Sequence, residues 1–353
     1  MRTSIILTIA IILFLSGCFH DKGQPPSDSN VVVVPPPDDG KDGKDRTIIV
    51  IKNDTRGPID KDGKDGQDDN GVLPPPAVSR VTPGYTSTPE ERFAIYFINV
   101  GKDELQGDAI LIKKGDFDML VDAGNVRSTN KVIDFLKSKA VDDIEVLVST
   151  HADNEHYGGI AKVLDEFGVE EFWWPGKLYG DNEYDALVKR INNENIQIKE
   201  VKRGDKFNFN GLTFELFNPG ATKSFGDRDN DAIVIKVTQN EFCALLTSDI
   251  LGGAQGELAN VPGISLRCDI LQLPGHGLGR ATPQIDVFLL KVSPKDAILS
   301  GSASDPSQDV KGTRFIVFEK LKIRNSRSYE NYNGGTVRIV SDGRTYAIDQ
   351  LAD

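Results

Sequence analysis

A short polar loop contains the side chains best suited to chemistry. Residues 149–159 read STHADNEHYGG and bring together two imidazoles and two carboxylates: His151, Asp153, Glu155 and His156. Imidazole nitrogens and carboxylate oxygens are the ligands that hold divalent ions such as Zn²⁺ and Mn²⁺. Polar loops of this composition are also common on solvated surfaces, so the loop alone leaves metal binding and simple solvation as alternatives.

The segments on either side predict how this loop is held. The apolar run 144–148 predicts a buried strand, and the apolar spacing over 160–167 predicts an amphipathic helix. A loop that a rigid strand supports is a common place for a binding or catalytic site. Upstream, Ser128 is predicted to cap a helix over 130–139.

The second half of the chain supplies two more candidate ligands. Asp249 follows the apolar strand predicted at 242–247, and His276 follows another predicted strand that begins at Asp269. A lone Asp or His at a strand end usually just closes a turn. Finding both after the polar loop, in a chain with only four histidines, favours one shared site.

The order of these residues resembles a known family. The loop is similar to the His-x-His-x-Asp-His signature of the metallo-β-lactamase superfamily, with Asp153 in place of the second His and Glu155 in place of the Asp. Leu246-Thr-Ser-Asp249 resembles that family's Leu-Thr-Gly-Asp, and residues 274–277 resemble its Pro-His-His-Gly, with Gly275 in place of the first His.

The resemblance extends over residues 93–351. Residues 99–101, 107–112 and 120–124 closely resemble the opening of the extracytoplasmic metallo-β-lactamase-like domain of ComEC-type competence proteins, in which Asp122 would lie behind the metal loop. The fold that this implies is a four-layer αββα sandwich of the α/β (α+β) class. The resemblance also predicts two divalent metal ions.

By the same resemblance, each candidate residue has a role. His151 and Asp153 would hold the first ion, and Glu155, His156 and His276 the second, with Asp249 bridging. Glu155, Asp249 and His276 would take part in catalysis. Oxygen donors favour Mn²⁺ or Mg²⁺, whereas the imidazoles keep Zn²⁺ competitive.

Other positions leave alternatives open. Residues 227–231 occupy the place of the family's Asn-Ser pair, where Asp229 or Asp231 could approach the metals or simply stabilise a turn. At 302–306 the family's His before Pro is absent. Trp173 and Trp174 end a predicted strand, and alternation predicts one in the core and one outward, with packing favoured over a stacking platform.

The first 91 residues differ in composition from the rest. Arg2 and the apolar run 5–15 resemble a signal peptide (residues 1–17), and Leu15-Ser16-Gly17-Cys18 resembles a bacterial lipobox, which would make Cys18 the lipid-modified N-terminus. An ordinary secretory signal is the alternative. Residues 18–91 are rich in Pro, Gly, Asp and Lys, which predicts a polar tether before a folded domain at 92–353.

Charge and cysteine content limit the function further. The net charge is −12, and residues 92–353 contain 39 acids and 31 bases, which argues against binding long nucleic acid over the whole surface. Cys243 and Cys268 could form a disulfide in an exported domain or remain as buried thiols.

Together these features predict a metal-dependent hydrolase in the cell envelope. It would be anchored to a membrane through its lipid, face away from the cytoplasm and act on phosphodiesters of DNA or nucleotides. The alternatives are hydrolysis of another exported ester, lactone or amide, or a non-catalytic binding lipoprotein with a degenerate metal site.

Overall fold

A computed structural model of the chain describes residues 92–101, 107–220, 224–277, 285–301 and 310–352. The predicted signal peptide, lipidated Cys18, the tether and residues 302–306 lie outside these ranges. The chain divides after Gly71, and every described residue belongs to the second unit, Val72–Asp353.

The described part consists of alternating strands and helices. Its strands are β1 (Phe93–Phe97), β2 (Ile110–Lys114), β3 (Phe117–Val121), β4 (Asp143–Val148), β5 (Gly168–Trp174), β6 (Gln197–Glu200), β7 (Lys206–Phe209), β8 (Leu212–Asn218), β9 (Val234–Gln239), β10 (Phe242–Leu246), β11 (Ile270–Gln272), β12 (Asp296–Leu299), β13 (Arg327–Glu330), β14 (Thr336–Ser341) and β15 (Tyr346–Leu351). Its helices are α1 (Thr129–Ser138), α2 (Asn154–Tyr157), α3 (Ile160–Glu166), α4 (Asn182–Asn193), α5 (Gly252–Asn260), α6 (Ile285–Val292), α7 (Val310–Ile323) and α8 (Asn331–Gly334).

The strands form two mixed sheets. The first sheet has the order β15-β14-β1-β2-β3-β4-β5-β6, and the second has the order β13-β12-β11-β10-β9-β8-β7. One apolar core combines side chains of both sheets, for example Phe97 with Phe214. Two further cores pack helices on the outer faces: α1, α3 and α4 on the first sheet, and α5, α6 and α7 on the second. The four-layer αββα sandwich is therefore confirmed.

The prediction that one of the two tryptophans, Trp173 or Trp174, faces outward was wrong. Trp173 lies in the core between the sheets, and Trp174 lies in the core beneath the helices, so both are buried. Neither points outward, because both faces of β5 are covered and alternation no longer separates core from solvent. Packing of both rings, rather than a stacking platform, is confirmed.

The helix starts also differ in detail from the prediction. Ser128 precedes α1, but its hydroxyl donates to the carbonyl oxygen of Asn125 at 3.0 Å instead of capping the helix. Asp181 does cap α4, because its carboxylate accepts from the backbone of Glu183 and Tyr184. Among the described residues, no helix is long and apolar enough to cross a membrane.

The sheet topology brings several loops to one edge. β3 runs parallel to β4, and β10 runs parallel to β11, so the residues after these four strands leave the two sheets in common directions. β2 is antiparallel to β3, and the residues before it therefore lie beside the residues that follow β3. Asp108 and Asp122 become neighbours in this way.

Candidate metal centre

The loop after β4 is held rigidly against the loop after β3. Asp122 accepts hydrogen bonds from the backbone N–H of Thr150 at 2.8 Å and from its hydroxyl at 2.7 Å. Gly159 approaches the backbone so closely that a Cβ there would stand 2.1 Å from the carbonyl oxygen of Ala123. The Gly-Gly pair after the loop is therefore a steric requirement of this contact.

Two histidines face the same carboxylate from different loops. Nδ1 of His156 lies 2.8 Å from Asp122, and its Nε2 lies 3.3 Å from Asp249 Oδ2. Nδ1 of His276 lies 2.9 Å from the carbonyl oxygen of Ser300, and its Nε2 lies 3.3 Å from Asp249 Oδ1. Each ring is thus held through Nδ1, which leaves Nε2 facing the site.

His151 is oriented in the same manner. Its Nδ1 lies 3.0 Å from the hydroxyl of Thr150 and 3.4 Å from the hydroxyl of Ser248. Its ring centroid is 4.2 Å from that of His156, and both side chains are fully buried. Packing two imidazoles this closely away from water requires a reason, because each ring keeps a polar atom that must be satisfied.

Several buried donor atoms of this cluster have no hydrogen-bond partner among the described residues. They are Nε2 of His151, Nε2 of His156, Nε2 of His276, Oδ1 of Asp108 and Oδ1 of Asp249. Buried polar atoms are ordinarily paired, so a set of unpaired atoms that lie together indicates a ligand that pairs with all of them.

The same atoms form overlapping groups of the size that a metal ion needs. In each group one donor atom per residue lies within 4.8 Å of the others, and the groups are His151–His156–Asp249, Asp108–Asp249–His276, Asp108–Asp122–His156 and His151–Asp153–Asp229. Asp249 belongs to two groups and contacts both His156 and His276, a position that suits a bridging ligand. The donors fit two divalent ions.

The structure brings together most of the predicted ligands. His151, Asp153, His156, Asp249 and His276 all belong to the groups, whereas Glu155 belongs to none of them. The carboxylate of Glu155 is partly buried near His276 and His156, and burial raises its pKa. Its role as a ligand therefore stays a prediction from the family signature.

Two carboxylates outside the predicted ligand set, Asp108 and Asp229, also belong to the metal-donor groups. Asp108 is buried, and its Oδ2 accepts from the side-chain amide of Gln272 at 2.6 Å while Oδ1 is left unpaired. Asp229 joins His151 and Asp153. Asp231 instead stabilises its turn, because it accepts from the hydroxyl of Tyr179 and the backbone of Phe225.

The cluster lowers the pKa of one carboxylate and raises the pKa of two others. Burial raises the pKa of Asp249, but the imidazoles of His276 and His156 outweigh it and hold that pKa well below its usual value. Burial raises the pKa of Asp108, and burial together with Asp249 raises the pKa of Asp229 to about 6. Several acids packed together need compensating positive charge, which divalent cations provide.

The histidines respond in opposite directions. Burial, with the neighbouring His156 ring, lowers the pKa of His151 well below its usual value. Burial also acts to lower the pKa of His276, but Asp249 and Asp108 outweigh it and raise that pKa to about 9. Asp249 and Asp122 likewise hold the pKa of His156 well above its usual value despite burial.

The sequence matches known proteins in this same region. Residues 103–227 match the model of the metallo-beta-lactamase superfamily. The chain is 26% identical to ComE operon protein 3 of Bacillus subtilis over 208 residues, which are 59% of this chain and 26% of that protein. It is 25% identical to recombination protein 2 of Haemophilus influenzae over 240 residues, 66% of this chain and 27% of that protein. The chain thus spans about a quarter of the length of these curated relatives.

One solved structure supports the same fold. A mutant of the CmlA β-hydroxylase aligns with a TM-score of 0.50 and 12% identity over 72% of this chain and 54% of that chain. The metallo-beta-lactamase fold protein YhfI from Bacillus subtilis aligns over 70% of this chain and 99% of that chain, with a TM-score of 0.49 and 9% identity. The first likeness bears on the fold alone.

Proposed function

Because residues 103–227 of this chain match the metallo-beta-lactamase superfamily, we propose that the protein is a metal-dependent hydrolase of phosphodiesters, with DNA or nucleotides as the substrate class. The observation that carries the proposal is the cluster of unpaired, buried donor atoms at one edge of the two sheets. A degenerate site that only scaffolds a loop would not need to keep three imidazole nitrogens buried and unpaired.

The side chains of the cluster would position the metal ions and the substrate. Two divalent ions at these donors would supply Lewis-acid activation of water and of a phosphoryl oxygen. Asp249 joins the two halves of the site, since its two oxygens face His156 and His276. Asp122 behind His156 holds one ring in place. The side chain of Asp249 is 17% exposed, which leaves the site open to a substrate.

The donor set supports a hard metal ion. Five aspartates contribute oxygen to the groups, against nitrogen from three histidines: Asp108, Asp122, Asp153, Asp229 and Asp249. A majority of oxygen donors favours Mn²⁺, with Mg²⁺ next, and the imidazoles keep Zn²⁺ as a competitor. Phosphoester oxygen is itself a hard ligand, so this set suits phosphodiesters better than a β-lactam ring.

The names of the relatives support the substrate class. Curated relatives include a recombination protein and competence protein ComA of Neisseria gonorrhoeae, which is 24% identical over 215 residues. Competence and recombination concern DNA. Each likeness covers about a quarter of the relative, so DNA as the substrate of this chain belongs to the proposal.

We further propose that the protein is exported and anchored by lipid at Cys18. Two observations support this: the lipobox at residues 15–18, and the disulfide between Cys243 and Cys268, a bond typical of compartments outside the cytoplasm. Mass spectrometry of the mature protein from its native host checks the anchor. An unacylated N-terminus downstream of residue 18 would contradict it.

Metal content and substrate preference test the enzymatic proposal together. The metal-free protein is titrated with Mn²⁺, Mg²⁺ and Zn²⁺ and offered single-stranded DNA, bis-p-nitrophenyl phosphate and a β-lactam. We expect two ions per chain and cleavage of the phosphodiesters. The control is the double variant His151→Ala, His276→Ala, which should keep its circular dichroism spectrum and lose metal and hydrolysis together.

Each failure has a distinct meaning. Fewer than one ion per chain with no cleavage replaces the enzyme by a binding module. Two ions with cleavage of the β-lactam alone keeps the metal centre and rejects the phosphodiester assignment.

A further inference from the structure

The loop between β8 and β9 places an arginine beside the metal centre. Ile233 at the end of this loop donates from its backbone to the carbonyl oxygen of Thr150 at 2.9 Å. Asp231 fixes the middle of the loop through Tyr179 and Phe225. Arg228, which precedes Asp229, is therefore carried by a loop that is attached to the metal loop.

The contacts of Arg228 are to the metal loop itself. Its Nη1 donates to the carbonyl oxygen of Ala152 at 2.8 Å, and its Nε lies 3.8 Å from the carboxylate of Asp153. Asp153 in turn belongs to the donor group with His151 and Asp229. The guanidinium thus stands next to the ligands of the first ion.

Arg228 is nevertheless open to solvent. Its side chain is 44% exposed and that of Asp153 is 35% exposed, whereas His151 is fully buried. A guanidinium has five N–H donors, and the hydrogen bond to Ala152 uses one of them. Donors are therefore left for a bound molecule on the side where the site meets water.

The charge of the metal centre favours a nearby cation such as Arg228. The donor groups contain five aspartates, which together carry more negative charge than two divalent ions carry positive charge: Asp108, Asp122, Asp153, Asp229 and Asp249. Residues 92–353 are acidic as a whole. An anionic substrate that approaches this carboxylate-rich centre on an acidic domain needs an added cation, and a guanidinium fork matches two phosphate oxygens.

We propose that Arg228 is a substrate-binding residue that holds the scissile phosphate, or the phosphate next to it, at the metal centre. This inference rests on the proposed phosphodiesterase function. It adds a specific anion contact from the β8–β9 loop.

The test compares Arg228→Ala and Arg228→Lys with a matched control. Arg190 is 36% exposed, donates to the carbonyl oxygen of Ala161 and pairs with Asp165. Within the part of the chain that the structure describes, its side chain bonds to no member of the donor groups. Arg190→Ala therefore removes a comparable half-exposed arginine away from the metal centre and serves as the control for Arg228→Ala. Metal stoichiometry is measured first for every variant.

Binding of inorganic phosphate to the metal-loaded protein is then measured by calorimetry, beside kcat and KM for bis-p-nitrophenyl phosphate. Arg228→Ala should keep two ions, bind phosphate at least about tenfold more weakly and raise KM, since a charge-assisted hydrogen bond is lost. Arg228→Lys should fall between Arg228→Ala and wild type, because it keeps the charge without the fork. Arg190→Ala should match wild type.

The outcomes distinguish failure of the role of Arg228 from failure of the proposed hydrolase function. If wild type binds no metal or cleaves no phosphodiester, both the proposed function and the role of Arg228 are rejected. If wild type is active and Arg228→Ala keeps full phosphate affinity and KM, the inference alone fails. If Arg228→Ala loses metal while Arg228→Lys keeps both metal and full phosphate affinity, Arg228 is a structural residue of the metal loop and the inference is overturned.

Discussion

The carboxylate of Asp122 lies 2.8 Å from Nδ1 of His156 and also accepts two hydrogen bonds from Thr150. One buried acid therefore fixes both the orientation of an imidazole and the path of the loop that carries His151. Because Nδ1 is occupied in this way, only Nε2 of His156 is directed toward Asp249. Such a partner behind a ligand sets its tautomer and its basicity.

Replacing Asp122 should weaken metal binding by releasing His156, because both oxygens of Asp122 are already bonded to Thr150 and His156 and it acts as their partner and not as a ligand. We expect Asp122→Asn to lower the affinity for Mn²⁺ by roughly 10- to 100-fold, as is typical when the partner of a ligating histidine is changed. Competition with a chelator measures the affinity. Asp118→Asn, which changes another buried acid of the same sheet, is the control and should leave the affinity unchanged. Equal affinities for Asp122→Asn and wild type would show that His156 does not bind metal through this arrangement.

Either Asp108 or Glu155 completes the second ion site. The donor groups include Asp108 and exclude Glu155, whereas the family signature assigns that position to Glu155. We expect Asp108→Asn to reduce the stoichiometry from two ions to one, because a buried carboxylate ligand is lost. Glu155→Gln should retain two ions. The reverse pattern in metal analysis would restore the ligand set predicted from the sequence.

The difference between these two acids shows what the sequence could and could not predict. Asp249 and His276 were predicted because each follows an apolar strand within a segment that resembles a family motif. Asp108 precedes its strand and meets Gln272, which is 164 residues away, so only the pairing of the two sheets brings it to the site. A local motif contains no information on contacts of that range, whereas the family resemblance predicted the four layers correctly.

The cysteine pair illustrates the same limit on a smaller scale. The sequence left a disulfide and two free thiols as alternatives, and the structure joins Cys243 to Cys268. Cys243 lies in β10, and Cys268 lies just before β11. The pairing follows from the parallel register of these two strands, which sequence spacing does not specify.

Removing this disulfide should lower stability. The bond closes a loop with a sequence separation of 25, and constraint of the unfolded chain over such a loop contributes about 3.5 kcal/mol. We expect the double variant Cys243→Ser, Cys268→Ser to unfold at lower urea concentration by a corresponding amount. Wild type in a reducing buffer should move the same way, and the variant should not respond to the reductant. Unchanged urea midpoints would contradict a stabilising bond.

The last prediction concerns Asp118 on β3, a buried acid away from the metal centre. One of its oxygens pairs with Lys113 at 2.7 Å, and the other has no hydrogen-bond partner among the described residues. Burial raises the pKa of Asp118 to about 6, although Lys113 acts against it. A raised pKa in the folded state means that ionised Asp118 disfavours folding. Its contribution to stability is fully present below the pKa of the unfolded chain, near pH 4, and is lost as the pH rises through 6.

Asp118→Asn should remove this pH dependence, because an amide of the same shape does not ionise. We expect the variant and wild type to be equally stable near pH 4, and the variant to be more stable at pH 7 by up to about 3 kcal/mol. Urea unfolding at intervals of half a pH unit measures the difference. Asp116→Asn, at an exposed position in the adjoining turn, is the control and should show no such divergence. A stability gap between Asp118→Asn and wild type that stays constant from pH 4 to pH 7 would show that Asp118 does not titrate in this range.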